Sequence, residues 1–230
     1  MGNKDLAGTY ILQNKDIPLL KFDLMREKIQ VGGLEAYDYS LQIKYMNQEK
    51  QALLPYSLRQ DSSPENLLQW IGKRKAPKNR QFVDKLMQTI GDDENPLAYV
   101  DISHALSLND ALWITNAAYP IAWQDFNLYH HPFNEVLAYV AFTGYSEKIS
   151  GVVTSPEYTS SGALKKCWSN RLDGIYLIKG DDFIKYTDGR SQATMEYYAV
   201  QVAEVMGFEH IPYDLEMFHH RNGEKEIVCK

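Results

Sequence analysis

Between residues 162 and 206 the chain changes hydrophobic period within a short span, and this limits its fold more than anything else in the sequence. Gly162-Ala163-Leu164-Lys165-Lys166-Cys167-Trp168 opens on a glycine. A short apolar run, Ile175-Tyr176-Leu177-Ile178, then ends in Lys179. Further on, Met195, Tyr198, Ala199, Val202, Val205 and Met206 recur at helical steps, and Gly207 stands where a left-handed cap ends a helix. The spacing predicts a helix near 191–206 with this stripe turned inward. Cys167-Trp168 and Ile175–Ile178 read as two strands of a hairpin, turned over Asn170-Arg171-Leu172-Asp173-Gly174. Ile211-Pro212-Tyr213, Leu215–Phe218 and Glu226–Cys229 read as further strands, the last two turned by Arg221-Asn222-Gly223. Residues 150–230 are therefore expected to form an antiparallel sheet with one main helix.

Upstream the pattern is mixed, which makes the whole chain α+β. Tyr10–Leu12, Leu19–Phe22 and Leu41–Tyr45 read as strands, punctuated by Asn14, Pro18 and Gly32-Gly33. Ser63-Pro64-Glu65 supplies a cap, a first-turn proline and a first-turn acid for a helix that places Leu67, Leu68 and Ile71 on one face. Phe82, Val83, Leu86, Met87 and Ile90 predict a second helix, capped at Gly91. Residues 105–115 and 134–142 read as helical or buried. Trp113, Tyr119, Trp123, Phe126, Tyr129 and Phe133 are expected to pack together rather than to cage a ligand. The turn-rich stretch 144–161 is expected to connect a first region, 1–145, to a second, 150–230.

With 230 residues, 44% of them hydrophobic, the chain can bury one large core or two small ones. A net charge of -6 argues against coating nucleic acid or an anionic membrane over the whole surface. Cys167 and Cys229 have no CxxC spacing, so free thiols in a reducing, cytoplasmic setting are expected. No apolar run approaches the roughly 20 residues of a membrane helix.

Phosphates concentrate negative charge, so a site for them requires close backbone N–H groups, which glycine permits, and at least one cation. Gly162, Lys166 and Lys179 have that chemistry. A lysine ending an apolar strand needs a carboxylate if its ammonium turns inward. Glu196, on the following helix, is the natural partner, expected within about 4 Å.

In this order the residues resemble the N-terminal lobe of HipA-like serine/threonine kinases. Thr159-Ser160-Ser161-Gly162-Ala163-Leu164-Lys165-Lys166 is similar to the family's Gly-rich loop, Tyr176–Gly180 to its lysine strand, and Glu196-Tyr197-Tyr198 with Ala203–Phe208 to its helix. Weaker similarity to the N-terminal region of a Gram-positive branch runs through Leu53-Leu54-Pro55, Pro77-Lys78-Asn79-Arg80 and Leu106–Asp110 with Trp113. The resemblance implies that this kinase N-lobe-like part binds ATP, with Lys179 on the phosphates and loop N–H groups near Gly162 above them. It implies autophosphorylation at Thr159, Ser160 or Ser161. Lys165 departs from the family, standing where many relatives have proline.

The family's catalytic and magnesium-binding aspartates belong to a C-terminal lobe. Residues 1–230 are therefore expected to hold ATP without transferring its phosphate, and magnesium is expected only with that lobe, supplied in cis or in trans. The alternative is a non-catalytic, kinase-derived module that docks a partner such as an antitoxin. Lys73, Arg74, Lys75, Lys78 and Arg80 form a basic cluster that could contact DNA phosphates or simply end a helix. His130-His131 and His219-His220 are adjacent pairs whose side chains diverge along an extended chain, so neither makes a chelating face by itself.

Overall fold

Four antiparallel strands in the order β3-β2-β1-β4 and four more in the order β5-β6-β8-β7 organise the chain, in a computed structural model that describes residues 7–88, 97–145, 155–181 and 191–230. In chain order the elements are β1 (Gly8–Asn14), β2 (Ile17–Val31), β3 (Leu34–Met46), α1 (Tyr56–Gln60), α2 (Pro64–Arg74), α3 (Val83–Met87), α4 (Ala98–Ser103), β4 (Leu112–Asn116), α5 (Trp123–Phe126), α6 (Glu135–Thr143), β5 (Lys166–Arg171), β6 (Gly174–Lys179), α7 (Gln192–Val205), β7 (Leu215–His219) and β8 (Lys225–Cys229). No helix among the described residues is long and apolar enough to cross a membrane.

The first sheet buries Tyr10, Leu12, Leu20, Phe22 and Leu24 against Leu58 of α1 and Leu67 and Ile71 of α2. The helix start foreseen at Ser63 is present: its hydroxyl accepts from the Asn66 N–H, with Pro64 in the first turn. β1 meets β2 only as far as Leu24, so the rest of β2 and β3 continue as a two-stranded ribbon to Gly32-Gly33, both at positive φ. Of the two buried-or-helical stretches, 134–142 is helix. Residues 105–115 are not: left-handed His104 and Ala105 end α4, and β-branched Ile114 and Thr115 pair with β1 as strand β4. Trp113, Trp123, Phe126 and Phe133 pack together as expected, but Tyr119 is exposed. Gly91, the foreseen cap of the helix around α3, lies outside the described residues.

The expected connection around 144–161 behaves differently in the half that is described. Pro156, Glu157 and Tyr158 are buried, and Tyr158 packs with Leu86, Leu137 and Ala141. Phe142 of α6 clusters with Cys167, Ile178 and Val228 of the second sheet, so the two expected regions share that core.

In the second sheet the β5–β6 hairpin forms, with a tighter turn than foreseen. Asn170 and Arg171 remain in register with Ile175 and Gly174, which leaves only Leu172-Asp173 at the tip. Residues 211–213 are not a strand. α7 begins at Ser191, whose hydroxyl accepts from the Thr194 N–H and donates to Asp181; Asp181 also accepts from the Ala193 N–H. The helix ends at Gly207, with φ +73°. Ser191→Ala is expected to lower stability by about 1 kcal/mol in urea denaturation. An unchanged midpoint would leave the helix start to Asp181 alone.

The apolar stripe of α7 is turned the opposite way from the expectation. Met195, Tyr198, Val202 and Met206 are exposed and Val205 is 89% exposed, while Ala193 is buried and Glu196, Tyr197 and Val200 are half-buried. Apolar residues occupy nearly the whole circumference of this helix, so its period does not single out an inward face. The face carrying Glu196 is the one that meets Lys179, as described next.

Candidate functional site

β6 alternates its side chains, burying Ile178 in the core and presenting Lys179 to α7. The Lys179 Nζ lies 2.8 Å from Glu196 Oε2, as the strand-and-helix reading required, and also donates to the Tyr213 phenol oxygen at 2.7 Å. Burial lowers this lysine's pKa, but its bonds to Glu196 and Tyr213 outweigh that and raise it, so the ammonium is charged at neutral pH. The Cys229 thiol lies 3.6 Å from the same carboxylate oxygen, and burial with that negative neighbour pushes its pKa up to about 11.

Opposite Lys179 in the antiparallel register stands Lys166 on β5, itself buried. Its Nζ donates to the Ser161 carbonyl at 2.7 Å. Burial, then the charges of Arg80 and Lys179, lower its pKa. Beneath Lys166, Arg80 donates to the Glu157 carbonyl (2.8 Å), to Glu157 Oε2 (3.1 Å) and to the Lys166 carbonyl (2.8 Å). Glu157 Oε1 accepts from the Trp168 N–H at 2.6 Å. Burial pushes the Glu157 carboxyl up to about 7, with Arg80 and the Trp168 N–H pulling the other way. Arg80 pairs with Glu157 and Lys179 with Glu196, so among the described residues Lys166 is the cation of this cluster that has no carboxylate within ion-pair distance.

The Gly162 loop closes over Lys166. Gly162 has φ +90°, a backbone angle that favours glycine, and a Cβ there would press only on the Lys166 Nζ, the mobile end of that side chain. The three hydroxyls before it differ. Thr159 donates to the Leu106 carbonyl, and Ser160, buried, donates to the Pro156 carbonyl and accepts from the Trp168 indole N–H. Ser161 is exposed. Beside them a cleft of about 180 Å³ is lined by Ser107, Thr159, Ser161, Lys166, Trp168 and Leu177. Lys165 turns away from the loop crest to bind Glu226 at 2.7 Å.

The foreseen basic cluster does not form one face. Arg74 grips Asp110 with both terminal nitrogens, at 2.8 and 3.0 Å, and Arg80 is buried as above. Both guanidinium forks find carboxylate and carbonyl oxygens inside the fold, which leaves Lys73 and Lys78 exposed and Lys75 half-buried. Among the described residues no three His, Cys, Asp or Glu side chains come together as a metal site.

Sequence reasoning does not place Tyr213, Glu157 or Cys229 at this site. The sequence predicts a strand at Tyr213, whereas the segment is irregular and its phenol oxygen accepts from Lys179. Glu157 carries no local signal, since its partners are remote in sequence. Comparison of the chain with protein-family models, with curated proteins and with solved structures found no match.

Proposed function

We propose that residues 155–230 hold the phosphates of ATP, in the manner of the N-terminal lobe of a HipA-like serine/threonine kinase. The observation that carries this reading is the Lys179–Glu196 contact of 2.8 Å, a strand lysine oriented by a helix glutamate. Tyr213 holds the same ammonium from a second side, which leaves one of its three donors for a ligand. Lys166 adds a buried ammonium with no carboxylate partner among the described residues, and Gly162 allows backbone N–H groups to come close. Both suit a polyanion. ATP, when bound, supplies the phosphoryl group for transfer to a hydroxyl.

Lys179 and Lys166 orient and neutralise phosphate oxygens, and Ser161 offers the accessible hydroxyl of the loop. Orienting an acceptor and holding magnesium require carboxylates, which the resemblance assigns to a C-terminal lobe. ATP binding by residues 1–230 is accordingly expected to be weak. Titration of ¹⁵N-labelled protein with ATP should shift the amides of 161–166 and 179, and Lys179→Ala should weaken binding by about tenfold or more. Affinity unchanged by Lys179→Ala would reduce this lysine to a strand-end residue.

A second reading, a kinase-derived module that docks a partner without catalysis, is favoured by the exposed Met195–Tyr198–Val202–Val205 stripe. An antitoxin would fit that role, and of the basic cluster Lys73, Lys75 and Lys78 are the residues left at the surface to meet DNA. Phosphoryl transfer on addition of a C-terminal lobe separates the two readings.

A further inference from the structure

The loop that carries Gly162 is held by a segment more than seventy positions away in sequence. The Ala76 N–H donates to the Tyr158 carbonyl (2.8 Å) and the Gln81 N–H to the Ala163 carbonyl (2.7 Å). The Gln81 side-chain oxygen accepts from the Lys165 N–H (3.3 Å), and Arg80 binds Glu157 twice and the Lys166 carbonyl once. Six hydrogen bonds from residues 76–81 thus reach 157, 158, 163, 165 and 166, on both sides of the turn. Ser161 and Gly162 are not bonded by that segment, and they form an exposed crest above the Lys166 ammonium.

Two features are difficult to explain by stability alone. Gln81 gives its oxygen to the loop while its buried Nε2 has no partner among the described residues, an arrangement that costs free energy. The next residue, Phe82, is a bulky side chain at φ +61°, a backbone region that strongly favours glycine. The chain is bent there just after residues 80 and 81 have reached the loop.

We infer that the 76–81 segment sets the shape of the Gly162 loop, and that Arg80 and Gln81 are positioning residues for the phosphate site, an inference that rests on the phosphate reading above. They touch no phosphate. They fix the ends of the loop so that only its two-residue crest can adjust to an anion, and they couple the first sheet's surroundings to that crest. Arg80, one of the cations that by sequence alone could have met DNA, acts inside the protein instead.

The test uses residues 1–230 with ATP as probe and hydrogen exchange as an independent readout. Gln81→Ala should speed exchange of the Lys165 amide and its loop neighbours by about fivefold or more, the loss of one hydrogen bond. It should weaken ATP binding by a similar factor, leaving exchange in β6 and the melting temperature unchanged. Gln81→Glu, which keeps an acceptor oxygen, should restore the slow exchange, while its added negative charge keeps ATP binding weak. Arg80→Gln combined with Glu157→Gln, which removes the charges as a pair, should loosen 157–166 in the same manner. If ATP binds and Gln81→Ala changes neither loop exchange nor affinity, the positioning role is overturned while the phosphate reading stands. If loop exchange responds but the unmodified chain shows no ATP binding, the loop's dependence on 76–81 stands and the phosphate reading falls.

Discussion

At pH 8, Arg80→Ala is expected to destabilise the protein by about 3–5 kcal/mol, because it leaves the Glu157 carboxylate buried without its counter-charge. For a chain of this length that corresponds to a fall in melting temperature of about 10 °C or more. Both side chains are only 1% exposed, so water cannot replace the lost partner. The deficit should depend on pH in a definite direction. Burial has already pushed the Glu157 carboxyl up to about 7 from its ordinary 4.5. Between those values the folded state keeps a proton that the unfolded chain gives up, so this group's contribution to stability falls as pH rises from about 4.5 to about 7. Removing Arg80 raises the carboxyl further. At pH 5 the variant then loses mainly hydrogen bonds to two carbonyls and a neutral acid, whereas at pH 8 it must also bury an unpaired charge or hold a proton against the solvent. Calorimetry should show the gap from wild type widening from pH 5 to pH 8, and Glu157→Gln added to Arg80→Ala should close most of the widening. A gap that is constant with pH would show that Glu157 is not the group left stranded.

What could be read in the sequence follows the distance over which each feature is determined. The Ser63 cap, the β5–β6 hairpin and the limits of α7 depend on residues a few positions apart, and all three were readable. The Lys179–Glu196 contact joins adjacent elements, a strand and the next helix, so their order together with the rule that an inward charge needs a partner was enough. The direction of the α7 stripe was not readable, because apolar residues lie on most of its circumference and the face that meets Lys179 carries Glu196. Tyr213, in an irregular stretch, has no periodic signature at all. Arg80 and Glu157 are 77 positions apart, and nothing near either residue marks it as buried. A run such as Lys73-Arg74-Lys75 with Lys78 and Arg80 looks uniform as text, yet its two guanidinium groups turn inward to oxygen pairs that only the fold assembles.

Supplying a kinase C-terminal lobe, in cis or in trans, is expected to produce ATP-dependent labelling of the loop, and Lys179→Ala should lower that labelling by a factor on the order of 10² or more. The lysine's role would be to place phosphate oxygens, and alanine leaves Glu196 without its cation as well, so both orientation and charge are lost. Lys179→Arg should rescue little, since a planar fork cannot reproduce the compact ammonium that Glu196 and Tyr213 hold from two sides. The labelled hydroxyl should be Ser161. Thr159 and Ser160 are within the same few residues, but their hydroxyls are bonded to the Leu106 and Pro156 carbonyls, and Ser160 also takes the Trp168 indole N–H. Mass spectrometry of the labelled loop locates the phosphate, and Ser161→Ala should remove most of it. Labelling by residues 1–230 alone would place the transfer machinery within this chain. Undiminished labelling by the Lys179→Ala protein with the C-terminal lobe present would show that Lys179 and Glu196 form a structural ion pair only.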